Sequence, residues 1–237
     1  MKKFLKLSIA AAMLGSVVTC LVVLAAALLY RGRVGEPFSL LNHFISELGE
    51  PGVSRGAWIF NAGLVVSGAL FIPSSVGLGL RIGGLWSGLG IAAGVGAGVF
   101  CAGVGIFPMS RLDPHVFTAM WFFRCGLLMA ALFGVAMLTQ RRGSEAVPRA
   151  ASLFSLVAVA AYGTFLVMAG NAGTGTFDTA SPLFLSARPA VWTLAVLEWA
   201  VFFATVLWFL GVALLVSARG RGSAIPSGRT KAPPPRP

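Results

Sequence analysis

Gly84-Leu85-Trp86-Ser87-Gly88-Leu89-Gly90-Ile91-Ala92-Ala93-Gly94-Val95-Gly96-Ala97-Gly98-Val99-Phe100-Cys101-Ala102-Gly103-Val104-Gly105-Ile106-Phe107 decides the fold. The run carries no charged residue and exceeds the roughly 20 residues that cross a bilayer. Five more runs of the same kind give predicted spans at about 7–30, 57–80, 115–139, 148–170 and 190–216, with this one at 84–107. Hydrocarbon offers backbone amides no hydrogen-bond partner, so the spans must be helices. The apolar residues are continuous rather than alternating, which argues against a β-barrel. The expected fold is an all-α integral membrane protein, a six-transmembrane-helix bundle over residues 1–217. The basic, Pro-rich tail of residues 218–237 is expected to be disordered and cytoplasmic.

Composition agrees. The 237 residues are 57% hydrophobic, with mean hydropathy +0.87, and charged residues are 11% against about 25% in soluble domains. A net charge of +11 would suggest nucleic acid in a soluble protein. Here the basic residues flank the spans, where they set topology, and no nucleic-acid partner is expected. With the N-terminus inside, twelve Lys and Arg residues lie on the cytoplasmic side. Five lie outside: Arg31, Arg33, Arg55, Arg111 and Arg188. Both termini are therefore expected in the cytoplasm, in what reads as a prokaryotic cytoplasmic membrane. The apolar run of Met1–Tyr30 is too long for a cleaved signal peptide, so it is expected to remain as the first helix. Cys20, Cys101 and Cys125 all fall inside spans and form no disulfide pattern.

In the third span Gly90, Gly94 and Gly98 share a helix face, which allows close helix approach. Packing within the bundle and association into a homo-oligomer are both compatible with that face.

The chemistry concentrates elsewhere. Ser39–Leu48 reads as a short amphipathic helix lying in the interface, with Leu40, Leu41, Phe44, Ile45 and Leu48 on one side and Asn42, His43, Ser46 and Glu47 on the other. His43 and Glu47, four apart, meet on one face. They fit a surface hydrogen bond, a shared proton, or part of a divalent-metal site, although a catalytic zinc needs about three protein ligands. Asp113-Pro114-His115 suits a helix start, with Asp113 as N-cap and Pro114 in the first turn. This places His115 on the same membrane side as His43.

Arg124 lies about 13.5 Å into the fourth span and Glu198 about 12 Å into the sixth, by helical rise. An arginine at that depth needs a partner, so an Arg124–Glu198 ion pair is expected. Tyr162 lies at similar depth, and Asn61 opens the second span.

Three sets of residues carry a resemblance: Ile45-Ser46-Glu47-Leu48-Gly49 with Ala57-Trp58-Ile59-Phe60-Asn61, then Gly105-Ile106-Phe107-Pro108, then His115. Together they resemble the prokaryotic six-helix membrane proteins of domain of unknown function 998, over roughly Leu7–Val216. The family brings no activity with it. More distantly, Ile45, Ser46, Glu47, Gly49 and His115 are similar to the Frag/DRAM/Sfk group of membrane proteins. That resemblance implies lipid-related work at the non-cytoplasmic face.

Three functions follow as expectations. The first is a polar site that binds a lipid headgroup or similar amphiphile and modifies it. There His43, Glu47 and His115 would do proton or metal chemistry, and Ser46, Arg111, Asp113 and Asn61 would bind. The second is a non-catalytic lipid-binding or assembly protein. The third is a small transporter using Arg124 and Glu198.

Overall fold

A computed structural model describes residues 2–141, 143, 145–172 and 188–222. Six helices are long and apolar enough to cross a membrane, and no strand occurs among the described residues. They are α1 (Lys2–Leu29), α2 (Ala57–Ile82), α3 (Leu85–Ile106), α4 (Leu112–Thr139), α5 (Ser152–Ala172) and α6 (Thr193–Gly222). The expected tail begins inside α6, and its remainder from 223 onwards lies outside the described residues, as does Asp178.

Each helix packs on the next in chain order, and α6 closes the ring against α1. The α2–α3 hairpin turns on Gly83 and Gly84, whose φ values of 74° and 85° favour glycine. Its helices then approach closely: a Cβ on Gly68 would lie 2.4 Å from the Gly98 carbonyl oxygen. A Cβ on Gly94 would lie 2.5 Å from Ser75, and one on Gly90 would lie 3.1 Å from Phe133. The glycine face of α3 is thus used inside the bundle, against α2 and α4.

One half of the ring is filled by large side chains. Phe71 and Phe209 stack with centroids 4.0 Å apart, and Trp208 lies against both Phe209 and Phe133. The indole N–H of Trp208 donates to Ser155 Oγ at 2.9 Å, and Tyr162 and Thr205 share a hydroxyl hydrogen bond of 2.7 Å. These bonds satisfy polar groups that apolar surroundings would otherwise penalise. Tyr162 does not join Arg124.

The other end is roofed by the loop between α1 and α2. Its ends are drawn together by a single antiparallel bridge between Tyr30 and Ser54. The expected ten-residue amphipathic helix is replaced by a turn at Ser39–His43 and a five-residue 3-10 helix, Ile45–Gly49. Both faces bury residues rather than one: Phe44 and Leu48 point inward as expected, and so does much of the polar side. Leu40 and Leu41 are exposed, while His43 and Glu47 are each only 2% exposed. The helical spacing that groups His43 with Glu47 says nothing of where their partners lie, and those partners are inside.

Candidate functional site

Glu47 is the centre of the roof. Its carboxylate accepts two parallel bonds from Arg188, Nη1 to Oε1 at 3.0 Å and Nη2 to Oε2 at 2.9 Å. The Phe44 amide donates to Oε1 at 2.8 Å, and the Tyr30 hydroxyl approaches Oε2 at 3.4 Å. A planar guanidinium matches a carboxylate in this two-pronged geometry. Burial works against the Arg188 charge, but the Glu47 carboxylate outweighs it and holds the guanidinium above its ordinary pKa. Burial, reinforced by Glu47, also pushes the Tyr30 hydroxyl well up.

The same roof is sewn to the start of α6 by backbone. Arg188 Nη1 donates to the Asn42 carbonyl at 2.8 Å, and Asn42 Nδ2 donates to the Pro189 carbonyl at 3.0 Å. The Trp192 amide donates to the Leu41 carbonyl at 2.8 Å, and Trp199 Nε1 to the His43 carbonyl at 3.1 Å. On the α2 side Asn61 Nδ2 donates to the Gly49 carbonyl at 2.8 Å. Asn61 is therefore a structural tie of the 3-10 helix. Arg188 was missed as a site residue. Its signal was its position, as the single cation between α5 and the final span.

His43 sits on the roof's far side from the bundle interior, walling a polar cleft of about 290 Å³ with Arg33, Glu36, Ser39, Asn42 and Arg188. Its Nδ1 faces Asn42 Oδ1 at 2.9 Å, while its buried Nε2 has no hydrogen-bond partner and lies 3.8 Å from Glu36. Desolvation lowers its pKa below the usual 6.5, with Glu47 pulling the other way. Glu47 is consumed by Arg188, so the pair offers no open metal position. Among the described residues no group of three or more His, Cys, Asp or Glu is placed to hold a metal ion.

Beneath the roof lies a second cavity, of about 80 Å³, room for several water-sized spheres. Its walls are apolar, built by Val23, Leu64, Val104, Phe122, Val201 and Phe202 from five helices. Ser46 and Ile45 of the 3-10 helix close its top, beside His115 and Glu198. Phe71 lies at its floor. His115 therefore faces this inner cavity while His43 faces the outer cleft, and the two histidines do not form one cluster.

The polar end of the inner cavity has defined geometry. His115 Nδ1 lies 2.7 Å from the Phe107 carbonyl oxygen. A carbonyl only accepts, so Nδ1 carries a proton, and in the neutral ring Nε2 carries the lone pair. Glu198 Oε2 accepts from the Ile45 amide at 2.8 Å, with the amide and hydroxyl of Ser46 alongside. Ser46 Oγ also approaches Met109 Sδ at 3.3 Å.

Glu198 has no cationic partner among the described residues, which corrects the expected Arg124–Glu198 pair. Arg124 is exposed on the outside of α4, its guanidinium 5.4 Å from the Trp121 ring centroid. The depths differ too. α4 begins at Leu112 and α6 only at Thr193. Arg124 is then about 18 Å along its helix and Glu198 about 7.5 Å along its own. Asp113 and Arg111 are exposed at the start of α4. The N-cap there is Arg111 rather than Asp113, with Asp113 in the first turn, where its charge still suits the helix dipole.

The sequence profile of a family described as "Protein of unknown function (DUF998)" matches residues 13–215. Neither a curated protein nor a solved structure matches the chain.

Proposed function

We propose, for a chain that belongs to the DUF998 family of uncharacterised membrane proteins, that it is a binding protein for a membrane amphiphile. The apolar tail lies in the inner cavity and the headgroup sits under the roof at Ser46, His115 and Glu198. One observation carries this reading: an apolar cavity inside the bundle with a histidine and a carboxyl group gathered at one end, the hydroxyls lower down being bonded to backbone carbonyls. Such a gradient fits a molecule with the same gradient. The reading is one of binding rather than catalysis, since Glu47 is committed to Arg188 and His43 faces the other side of the roof.

In this proposal the roofed end faces the extracytoplasmic side. The support is charge asymmetry, with the larger share of Lys and Arg near the opposite end.

Ala119 lines the cavity, so Ala119→Trp fills it. Native mass spectrometry of protein purified with its lipids is expected to find an amphiphile retained on wild type and lost from this variant. Equal retention by both, or an empty wild type, overturns the reading.

A further inference from the structure

The headgroup end of the inner cavity is built from acceptors. Glu198 is 7% exposed and contributes a carboxylate, and His115, 5% exposed, contributes the Nε2 lone pair. The hydroxyls and thiol lower in the cavity spend their protons on the protein. Thr19 Oγ1 donates to the Gly15 carbonyl at 2.7 Å, Thr205 Oγ1 to the Val201 carbonyl at 2.7 Å, and Cys101 Sγ to the Leu64 carbonyl at 3.7 Å. Among the described residues no lysine or arginine lines the cavity.

A carboxylate held away from water is costly unless a cation or hydrogen-bond donors offset it. The Ile45 and Ser46 amides meet part of that cost from above. From below, the protein supplies nothing of positive sign. An anionic headgroup would bring its own charge into the same space, with no cation among the described residues to offset it and no water to screen it.

We infer that the cavity selects a single-chain amphiphile whose headgroup is a non-anionic hydrogen-bond donor, an ammonium or a hydroxyl, and excludes carboxylates and phosphates. The donor bonds Glu198 and His115 Nε2, and the chain runs down between α1, α4 and α6. From Glu198 to Val206, both on the cavity wall, is eight residues of helix, or about 12 Å of depth. This inference rests on the amphiphile-binding reading above and names its ligand class.

The full chain in nanodiscs, offered dodecylamine, dodecanol, dodecanoate and dodecyl phosphate in turn, tests it. Retention is measured against protein-free nanodiscs. The amine and the alcohol are expected to bind at least about tenfold more tightly than either anion, an energy difference of about 1.4 kcal/mol. Glu198→Gln keeps the shape and an acceptor but cannot ionise to become the counter-charge of an ammonium. It is expected to lower the preference for amine over dodecanoate while leaving the alcohol bound. Anions retained as well as the amine and alcohol overturn the ligand class and leave the binding reading standing. No retention of any of the four above protein-free discs overturns both. A preference unchanged in Glu198→Gln overturns the role given to that carboxylate.

Discussion

Arg188 and Glu47, 141 positions apart in the chain, close a two-pronged ion pair that fastens the roof of the bundle to the start of its last helix. Glu47 is almost wholly buried, so its charge is not free to return to water. Removing one partner strands the other. Arg188→Gln is expected to destabilise by about 3–5 kcal/mol, and the double variant Glu47→Gln with Arg188→Gln by clearly less. Unfolding in mixed micelles measures both. A single-variant cost under about 1 kcal/mol would contradict the assignment.

Acidification loosens the roof through His43. Burial holds this imidazole below its ordinary 6.5, Arg188 adds to that, and Glu47 and Glu36 oppose it. The opened roof therefore takes up a proton more readily than the closed one. The stability owed to neutral His43 is complete above about 6.5 and is lost as pH falls through the lower folded value. Hydrogen exchange of the Ser39–Glu50 amides, corrected for intrinsic rate, is expected to show protection falling between neutral pH and about pH 5. His43→Asn should flatten that fall. The same slope in the variant would assign it to other groups.

Gly49 has no room for a methyl group. An added Cβ would stand 2.3 Å from Asn61 Oδ1 and 2.7 Å from the Phe60 ring. Gly49→Ala is expected to cost about 1–3 kcal/mol. Adding Asn61→Ala relieves one clash at the expense of the tie to the Gly49 carbonyl, so recovery should be partial at best. Full tolerance of Gly49→Ala in a thermal scan would place the 3-10 helix differently.

Arg124 is the contrasting case. It is exposed and stands over Trp121 rather than against Glu198. Arg124→Leu is expected to stay within about 0.5 kcal/mol of wild type and to leave amphiphile retention unchanged. A large loss on either measure would restore the deep ion pair.

The roof's membrane side is open to direct labelling. With Cys20, Cys101 and Cys125 replaced by alanine, Val34→Cys probes the roof, where Val34 is 74% exposed, and Lys3→Cys probes the opposite end. In intact cells an impermeant maleimide is expected to modify Val34→Cys at once, and Lys3→Cys only after permeabilisation. The reverse pattern would invert the proposed orientation.

The six spans were legible because hydropathy is local: each run of apolar residues declares itself without reference to any other. Of the amphipathic helix expected over Ser39–Leu48, only the end around Ser46 is helical, as a five-residue 3-10 helix. Its orientation was not legible. Periodicity puts His43 and Glu47 on the polar side of a helix, but Glu47 is buried against Arg188, which the sequence keeps far away. Glu198 and Arg124 mislead in the opposite direction. Each is rare enough in a membrane span to suggest a partner, and the true neighbours of Glu198 are the Ile45 and Ser46 amides, which leave no trace in composition. Backbone partners are invisible to any pairing of charged letters.

The ring closes in the order in which it is made. α6 leaves the ribosome after the five helices it must join, and it brings Trp192, Glu198 and Trp199, with Arg188 just ahead of it, to the roof. Until then the carbonyls and Glu47 of the loop after α1 lack the donors Arg188, Trp192 and Trp199, and its Ile45 amide lacks the acceptor Glu198. The inner cavity therefore has all its walls only once α6 is in place. A chain halted before Arg188 would lack both the guanidinium that Glu47 is built to meet and the α6 wall of the inner cavity.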